Sequence, residues 1–307
     1  MRVGLEPQMT EVIINNNKTM DRFDLLTEEA RPIIESLNAL IRNLSAQGLF
    51  MTSWYGNLLD GPGPTKDKVK RVIKKALGRA VEDRLHVGWD NRGPDYQALQ
   101  DSADDGRIPW YTYWQIFWVM AYGPSLRPAM RLLDVGGASS LFPCYMASMG
   151  YEIHVIDVNK SVVVNGKRIA RAMSWPMFPY TMDATKLDFK GAFFDHAYAL
   201  GVFQSLDYET KQRALAEIAR CLKPKGILSV TFDYRNPAPP KYPYGFDTSE
   251  DYRLQNEADI QRQFLSSGDF ILLGNQSFYD NGKSYLVHPD FGNAPYTFGV
   301  IFLQKKS

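Results

Sequence analysis

The chemistry legible in this chain begins with three acids, Asp134, Asp157 and Asp183, each closing a short apolar run. Behind the first comes Gly136-Gly137-Ala138-Ser139-Ser140, a turn of small residues through which backbone N–H groups can approach a ligand closely. Asp157 stands 21 residues after Gly136, at the carboxyl edge of a second run, where a carboxylate can accept both hydroxyls of a ribose. Asp183 follows a third run and either accepts an adenine amino group or simply closes a turn. Acids at three successive strand ends point to a nucleoside-containing ligand.

Groups able to move a proton are fewer. Asp233 and Tyr234 follow a later apolar run, at the edge of a parallel sheet where ligands bind, and are the leading catalytic candidates. Of four histidines, His154 and His196 fall inside strands and read as structural, while His86 has no context. His288, in the loop from Asp280 to Pro295, is the remaining candidate. An aromatic stretch, Trp110-Tyr111-Thr112-Tyr113-Trp114, either packs into a core or closes over a cationic ligand, where a ring face is worth roughly 0.5–2 kcal/mol. The hydroxyls of Tyr111 and Tyr113 need partners in either case.

The elements that must hold these groups follow from periodicity. From Met130 onward short apolar runs alternate with helical segments, the pattern of βαβ units and a parallel sheet. Strands are expected at Arg131–Val135, Ile153–Ile156, up to Met182, Phe194–Leu200 and Ile227–Phe232. Between them, Ser140 caps a helix with Pro143 in its first turn and Gly150 as its stop; further helices span Val162–Met173 and Asp207–Leu222. The last helix ends at the turn Lys223-Pro224-Lys225-Gly226. After a helix at Glu257–Leu265, strands at Phe270–Gly274 and Tyr296–Leu303 follow one another without a helix and should pair antiparallel. Before Met130 the pattern is helical: Ile33, Ile34, Leu37, Leu40, Ile41 and Leu44 recur after Pro32, and Val69, Val72, Ile73, Ala76 and Leu77 make a second stripe.

Composition excludes several classes. The 307 residues, 45% hydrophobic and 22% charged, are ordinary globular usage, and a net charge of +1 gives no global field toward nucleic acid or an anionic membrane. Lys66, Lys68, Lys70, Arg71, Lys74 and Lys75 surround the second stripe and read first as its solvated side. Cys144 and Cys221 lie far apart in expected helices, so neither a disulfide framework nor a metal site is expected. Neither a signal peptide nor a membrane span is expected, and the expected location is cytoplasmic.

With these motifs in place, residues 127–305 resemble the class I S-adenosylmethionine-dependent methyltransferases. The family's first motif matches Leu133-Asp134-Val135-Gly136-Gly137-Ala138-Ser139, its ribose acid Asp157 and its adenine-side acid Asp183. Its fourth motif matches Phe194 to Phe203, and the turn after it Leu222-Lys223-Pro224-Lys225-Gly226. The resemblance implies a Rossmann-like α/β fold, a seven-stranded mostly parallel sheet with an antiparallel last strand. It implies S-adenosyl-L-methionine as cofactor, with Asp134 on its amino group, Gly136, Gly137, Ala138 and Ser139 along the turn, and Asp157 and Val158 at the ribose. Asp183 and Ala184 then lie at the adenine, Leu200 and Gly201 along the methionine portion, and Tyr113 over the sulfonium.

The sequence departs from that pattern twice. The second and third motif glycines are Ala138 and Ser140, and the Glu-His pair of many small-molecule members is Gln204-Ser205. A dinucleotide reading fits less well, because G-x-G-x-x-G requires glycines where Ala138 and Leu141 stand. The expected organisation is an N-terminal helical extension and substrate lid over 1–127, with a methyltransferase domain over 128–307. The expected reaction is methyl transfer to oxygen or nitrogen of a small organic acceptor. Nucleic acid and membrane are not expected partners, and the sequence leaves the oligomeric state open. Two alternatives remain: an RNA or protein methyltransferase using the basic helix at 66–75, and a non-catalytic nucleoside-binding protein.

Overall fold

A computed structural model describes residues 15–52, 108–236, 254–288 and 294–307. The second apolar stripe, the basic run at 66–75, His86 and the Pro-rich stretch at 237–240 lie outside these residues. Five parallel strands form the sheet's centre: β2 (Arg131–Val135), β3 (Glu152–Asp157), β4 (Met177–Thr181), β5 (Phe194–Leu200) and β6 (Leu222–Tyr234). Beside β6 runs the long antiparallel strand β9 (Ala294–Lys305). Its outer edge is taken by β7 (Phe270–Leu272) and, further along, by β1 (Lys18–Thr19), while β8 (Leu286–His288) pairs its first residues. The expected antiparallel ending is therefore present. Two short strands, β1 and β8, are additions to the seven, because β9 is longer than β7 alone can pair.

Helices follow the apolar spacing. In α1 (Ala30–Ala46), Ile34, Leu37, Leu40, Ile41 and Leu44 are buried, with Pro32 in the first turn. The aromatic stretch begins α2 (Trp110–Tyr122), which is buried almost all round. Next come α3 (Leu141–Ser148), α4 (Lys160–Met173) and α5 (Tyr208–Cys221). Asp207 caps α5 by accepting from the Thr210 amide at 2.7 Å. Ser140 occupies the cap position of α3 without making a side-chain capping bond. Past α6 (Glu257–Ile260) the chain continues as a π-helical turn, Gln261–Leu265.

At residues 223–226 the expected turn becomes a bulge inside a strand. Phe194 pairs Leu222 and His196 pairs Ile227, so the intervening residues loop out, with Lys225 at φ +63°.

The described residues of the N-terminal segment share the core of the sheet. Met20, Leu25 and Leu37 share one cluster with Trp114, Phe117, Leu132, Tyr198 and Phe302, on the sheet face covered by α1 to α4. The opposite face, under α5 and the π turn, packs Leu133, Phe232, Tyr234 and Phe264. Asn17 joins the first strand to the last: its side-chain nitrogen donates to the carbonyls of Leu273 (2.8 Å) and Asn275 (2.9 Å), and its oxygen accepts from the Phe302 amide (2.8 Å).

Candidate active site

Asp134, the last residue but one of β2, is buried on the α1–α4 face. One oxygen, Oδ2, has no hydrogen-bonding partner among the described residues. Burial and the charge of Asp157 push its carboxyl up to about 8, and the Gly137 amide offsets this only in part. A Cβ at Gly137 would collide with that same carboxylate oxygen, so only glycine lets the turn fold over the acid. Gly136, at φ +82°, is closed from above by Val202, whose Cγ2 would lie 2.6 Å from an added Cβ.

Two further buried oxygens are also unpartnered among the described residues, Ser139 Oγ in this turn and Gln204 Oε1, two residues after the Val202 that closes Gly136. Gln204, the departure from the family's Glu-His pair, thus keeps a buried polar group at its own position. The lost second glycine of the turn, Ala138, has a counterpart on the facing helix. Gly166 of α4 approaches the Ala138 carbonyl so closely that a Cβ there would clash with it.

Asp157 ends β3, where its Oδ1 accepts from the Asn159 amide at 2.8 Å. Burial raises its carboxyl, against the lowering effect of the Asn159 and Ala138 amides. Next to it Val158 is 48% exposed, an apolar surface at the sheet's edge. The Met182 amide donates to the Asp157 carbonyl at 3.1 Å, which brings Asp183 and Ala184 alongside. Asp183 itself closes a turn, accepting from the Thr185 amide and hydroxyl, both at 2.8 Å. Leu200 ends β5, and Gly201, at φ +70°, donates to the Thr231 carbonyl at 3.0 Å. These residues converge on the carboxyl ends of β2, β3, β4 and β5.

The proton-transfer candidates separate. Asp233 shares the sheet face of Asp134, because Thr231 lies opposite Leu200 and Ser229 opposite Tyr198, itself opposite Asp134. Asn236 donates to its Oδ2 at 2.7 Å, and burial raises its carboxyl to about 6. Tyr234 points the other way, into the second core, with its ring 5.2 Å from that of Phe278. The period of two along a strand makes this unavoidable for adjacent residues. His288 ends β8 through backbone pairing with Ala294, and its side chain lies outside what is described.

Tyr113 is held by α1. Its hydroxyl needs a buried partner and finds it in Asn38 of α1, at 2.7 Å. The rings of Trp110, Tyr111, Tyr113 and Trp114 are all buried. His154 is structural as expected, held between Glu152 at 3.0 Å and the Tyr180 hydroxyl at 3.2 Å. His196 is buried and its imidazole depressed to about 4 by desolvation.

Three features escaped sequence reasoning. Gln115 of α2 receives the Thr231 hydroxyl at 2.6 Å; with Thr112 it interrupts an otherwise apolar and aromatic helix, a signal that was available. Gly166 stands within an amphipathic helix, and local spacing does not mark its contact with Ala138. Beyond α1, the Thr52 amide donates to the Ser139 carbonyl at 2.9 Å, and Asn165 of α4 donates to the Phe50 carbonyl at 2.7 Å. The strap at 48–52 therefore lies against the glycine-containing turn.

Comparison with known proteins agrees with this geometry. Residues 133–230 match the family model described as a methyltransferase domain. Two curated relatives, the ubiquinone/menaquinone biosynthesis C-methyltransferases UbiE of Bordetella parapertussis and Bordetella bronchiseptica, are each 30% identical over 138 residues. The match covers 44% of this chain and 51% of theirs, so the chain spans about half the length of the curated relatives it matches. The solved 4+2 cyclase SpnF is similar in fold, with a TM-score of 0.50 at 20% identity, covering 80% of this chain and 97% of that one. With an unpartnered buried acid on the glycine-containing turn and a second acid at the next strand end, residues 133–230 carry the methyltransferase domain that the family model describes, in a chain similar to methyltransferases that use S-adenosyl-L-methionine.

Proposed function

We propose that this protein transfers a methyl group from S-adenosyl-L-methionine to an oxygen or nitrogen of a small organic acceptor. The observation that carries the reading is Asp134, a buried carboxylate with an oxygen that no described protein group satisfies. Leaving a charge in that state is expensive unless a cation completes it, and the cofactor's amino group is such a cation. When bound, the cofactor supplies a sulfonium-borne methyl electrophile.

The chain's own residues then have distinct tasks. Asp134 accepts from the amino group, Asp157 from the ribose hydroxyls, and Val158 and Ala184 give the adenine an apolar flank. Asp233 accepts the acceptor's proton. Its carboxyl, raised to about 6, is ionised at neutral pH yet basic enough to serve. In-line displacement otherwise asks for positioning and exclusion of water, to which α2 and the strap at 48–52 contribute.

Methylation at carbon is a second reading, favoured by the two relatives, which are C-methyltransferases by name; Asp233 would serve it equally. Methylation of RNA or protein rests on the basic run at 66–75, outside the described residues.

The test is calorimetric titration with S-adenosylhomocysteine, and with NAD and NADP separately. A one-site isotherm for the first alone is expected, weakened by about 1–3 kcal/mol in Asp157→Ala through lost charge-assisted hydrogen bonds. Binding of a nicotinamide cofactor instead would remove the reading, as would an unaltered affinity in the folded variant for the role of Asp157. A methyl-transfer assay over oxygen, nitrogen and carbon acceptors then fixes the acceptor atom.

A further inference from the structure

Gln115 is 1% exposed and lies between α2 and β6. Because the Thr231 hydroxyl donates to its Oε1 at 2.6 Å, the amide plane is fixed, and its Nε2 is left with no partner among the described residues. A buried donor left unmade costs about 1–3 kcal/mol. Asp233 is two residues beyond Thr231 on the same sheet face, with Oδ2 held by Asn236 and Oδ1 without a hydrogen bond among the described residues. Tyr111, one helical turn before Gln115, packs its ring 4.9 Å from Phe298, the residue opposite Asp233 in β9. An amide donor and a carboxylate base thus stand on one face, beside a pair of flat rings.

Few acceptors satisfy both groups. A carboxylic acid would meet Asp233 as a like charge. An amine or a simple phenol would give Asp233 its proton but leave Nε2 unpaired. A conjugated molecule carrying one acidic O–H and one carbonyl oxygen answers both. We propose that Gln115 and Asp233 together recognise an enolic 1,3-dicarbonyl compound, the amide holding the carbonyl oxygen and the carboxylate taking the enol proton. In that transfer the enol O–H bond breaks, its electron pair stays on oxygen, and an O–H bond forms on Asp233. The resulting charge is shared with the oxygen held by Gln115. The inference rests on the methyl-transfer reading only for the fate of the enolate; recognition is measured without turnover.

Benzoylacetone is titrated at about pH 7 into protein with and without S-adenosylhomocysteine, following the absorbance difference between its enol and enolate, with propiophenone as the mono-ketone control. The wild type should give a saturable enolate band, and propiophenone no response. Asp233→Asn should abolish the band. Gln115→Glu keeps an oxygen for the Thr231 hydroxyl but replaces the donor by a negative charge, and should weaken binding about tenfold or more. Gln115→Met, neutral and of similar volume, replaces it if Gln115→Glu fails to fold. No saturable band in either titration of the wild type, or a band unaltered in these folded variants, overturns the inference. A band without any binding of S-adenosylhomocysteine supports the inference and removes the methyl-transfer reading alone.

Discussion

Gly166 of α4 and the carbonyl oxygen of Ala138 approach so closely that no side chain fits between them. The contact places the glycine-containing turn directly against a helix, and it does so from the helix side, since the turn itself carries Ala138 and Ser140 where the motif it resembles has glycine. Gly166→Ala should push α4 and the turn apart. Overpacking of this kind costs about 1–3 kcal/mol, so the melting temperature should fall and S-adenosylhomocysteine should bind at least several-fold more weakly. A variant matching the wild type in both would show that α4 yields freely.

Asp134 should destabilise the cofactor-free protein in a pH-dependent way. Its carboxyl is raised to about 8 from an ordinary value of 3.8, so the folded state keeps a proton that the unfolded chain has released. Stability from this group is fully present below about pH 4 and is lost as pH rises toward 8. Asp134→Asn should therefore melt higher than the wild type at pH 8, with a smaller gain at pH 5, while losing S-adenosylhomocysteine binding. Thermal melts at the two pH values, with and without ligand, check both halves.

For Asp233 the sign concerns rate. Ionised above about pH 6 and neutral below it, it should make methyl transfer fall about tenfold per pH unit on the acid side. Asp233→Asn should lower kcat by roughly 100-fold or more and flatten that limb. An intact acid limb in Asp233→Asn would assign the titration to another group.

Asn17→Ala should be costly for a surface-adjacent segment. It would orphan the Leu273 and Asn275 carbonyls and the Phe302 amide, for a loss of roughly 2–4 kcal/mol. Urea unfolding measures this directly, and a change within about 0.5 kcal/mol would mean that water replaces the side chain.

Where the sequence was readable, a local rule governed. The alternation that set Arg131–Val135 and Phe194–Leu200 needs only neighbours, and both strands stand as expected. Asp134 and Asp157 were legible because a strand end and a small-residue turn are both local. The partner of the Tyr113 hydroxyl, Asn38, lies 75 residues away and is not legible from local spacing. Tyr234 was grouped with Asp233 by adjacency, although side chains on a strand alternate and the two face different cores. The Lys223–Gly226 turn was recognised by composition, but only pairing with β5 reveals it as a bulge. Gly166 and Gln115 act through contacts with residues of other elements, which periodicity does not report.

The hydrogen bond from Phe302 to Asn17 spans 285 residues of sequence. On a ribosome this means that the earliest described strand waits for almost the last. The parallel strands carrying Asp134, Asp157 and Asp233 are complete by Tyr234, whereas the edge that β1 and β7 cover does not exist until β9 emerges. Long-range closure of this kind slows folding and exposes unpaired strand edges meanwhile. A nascent chain of this protein would hold the cofactor-binding half ready while its β6 edge is still open, so early cofactor binding would help to hold that half together during synthesis.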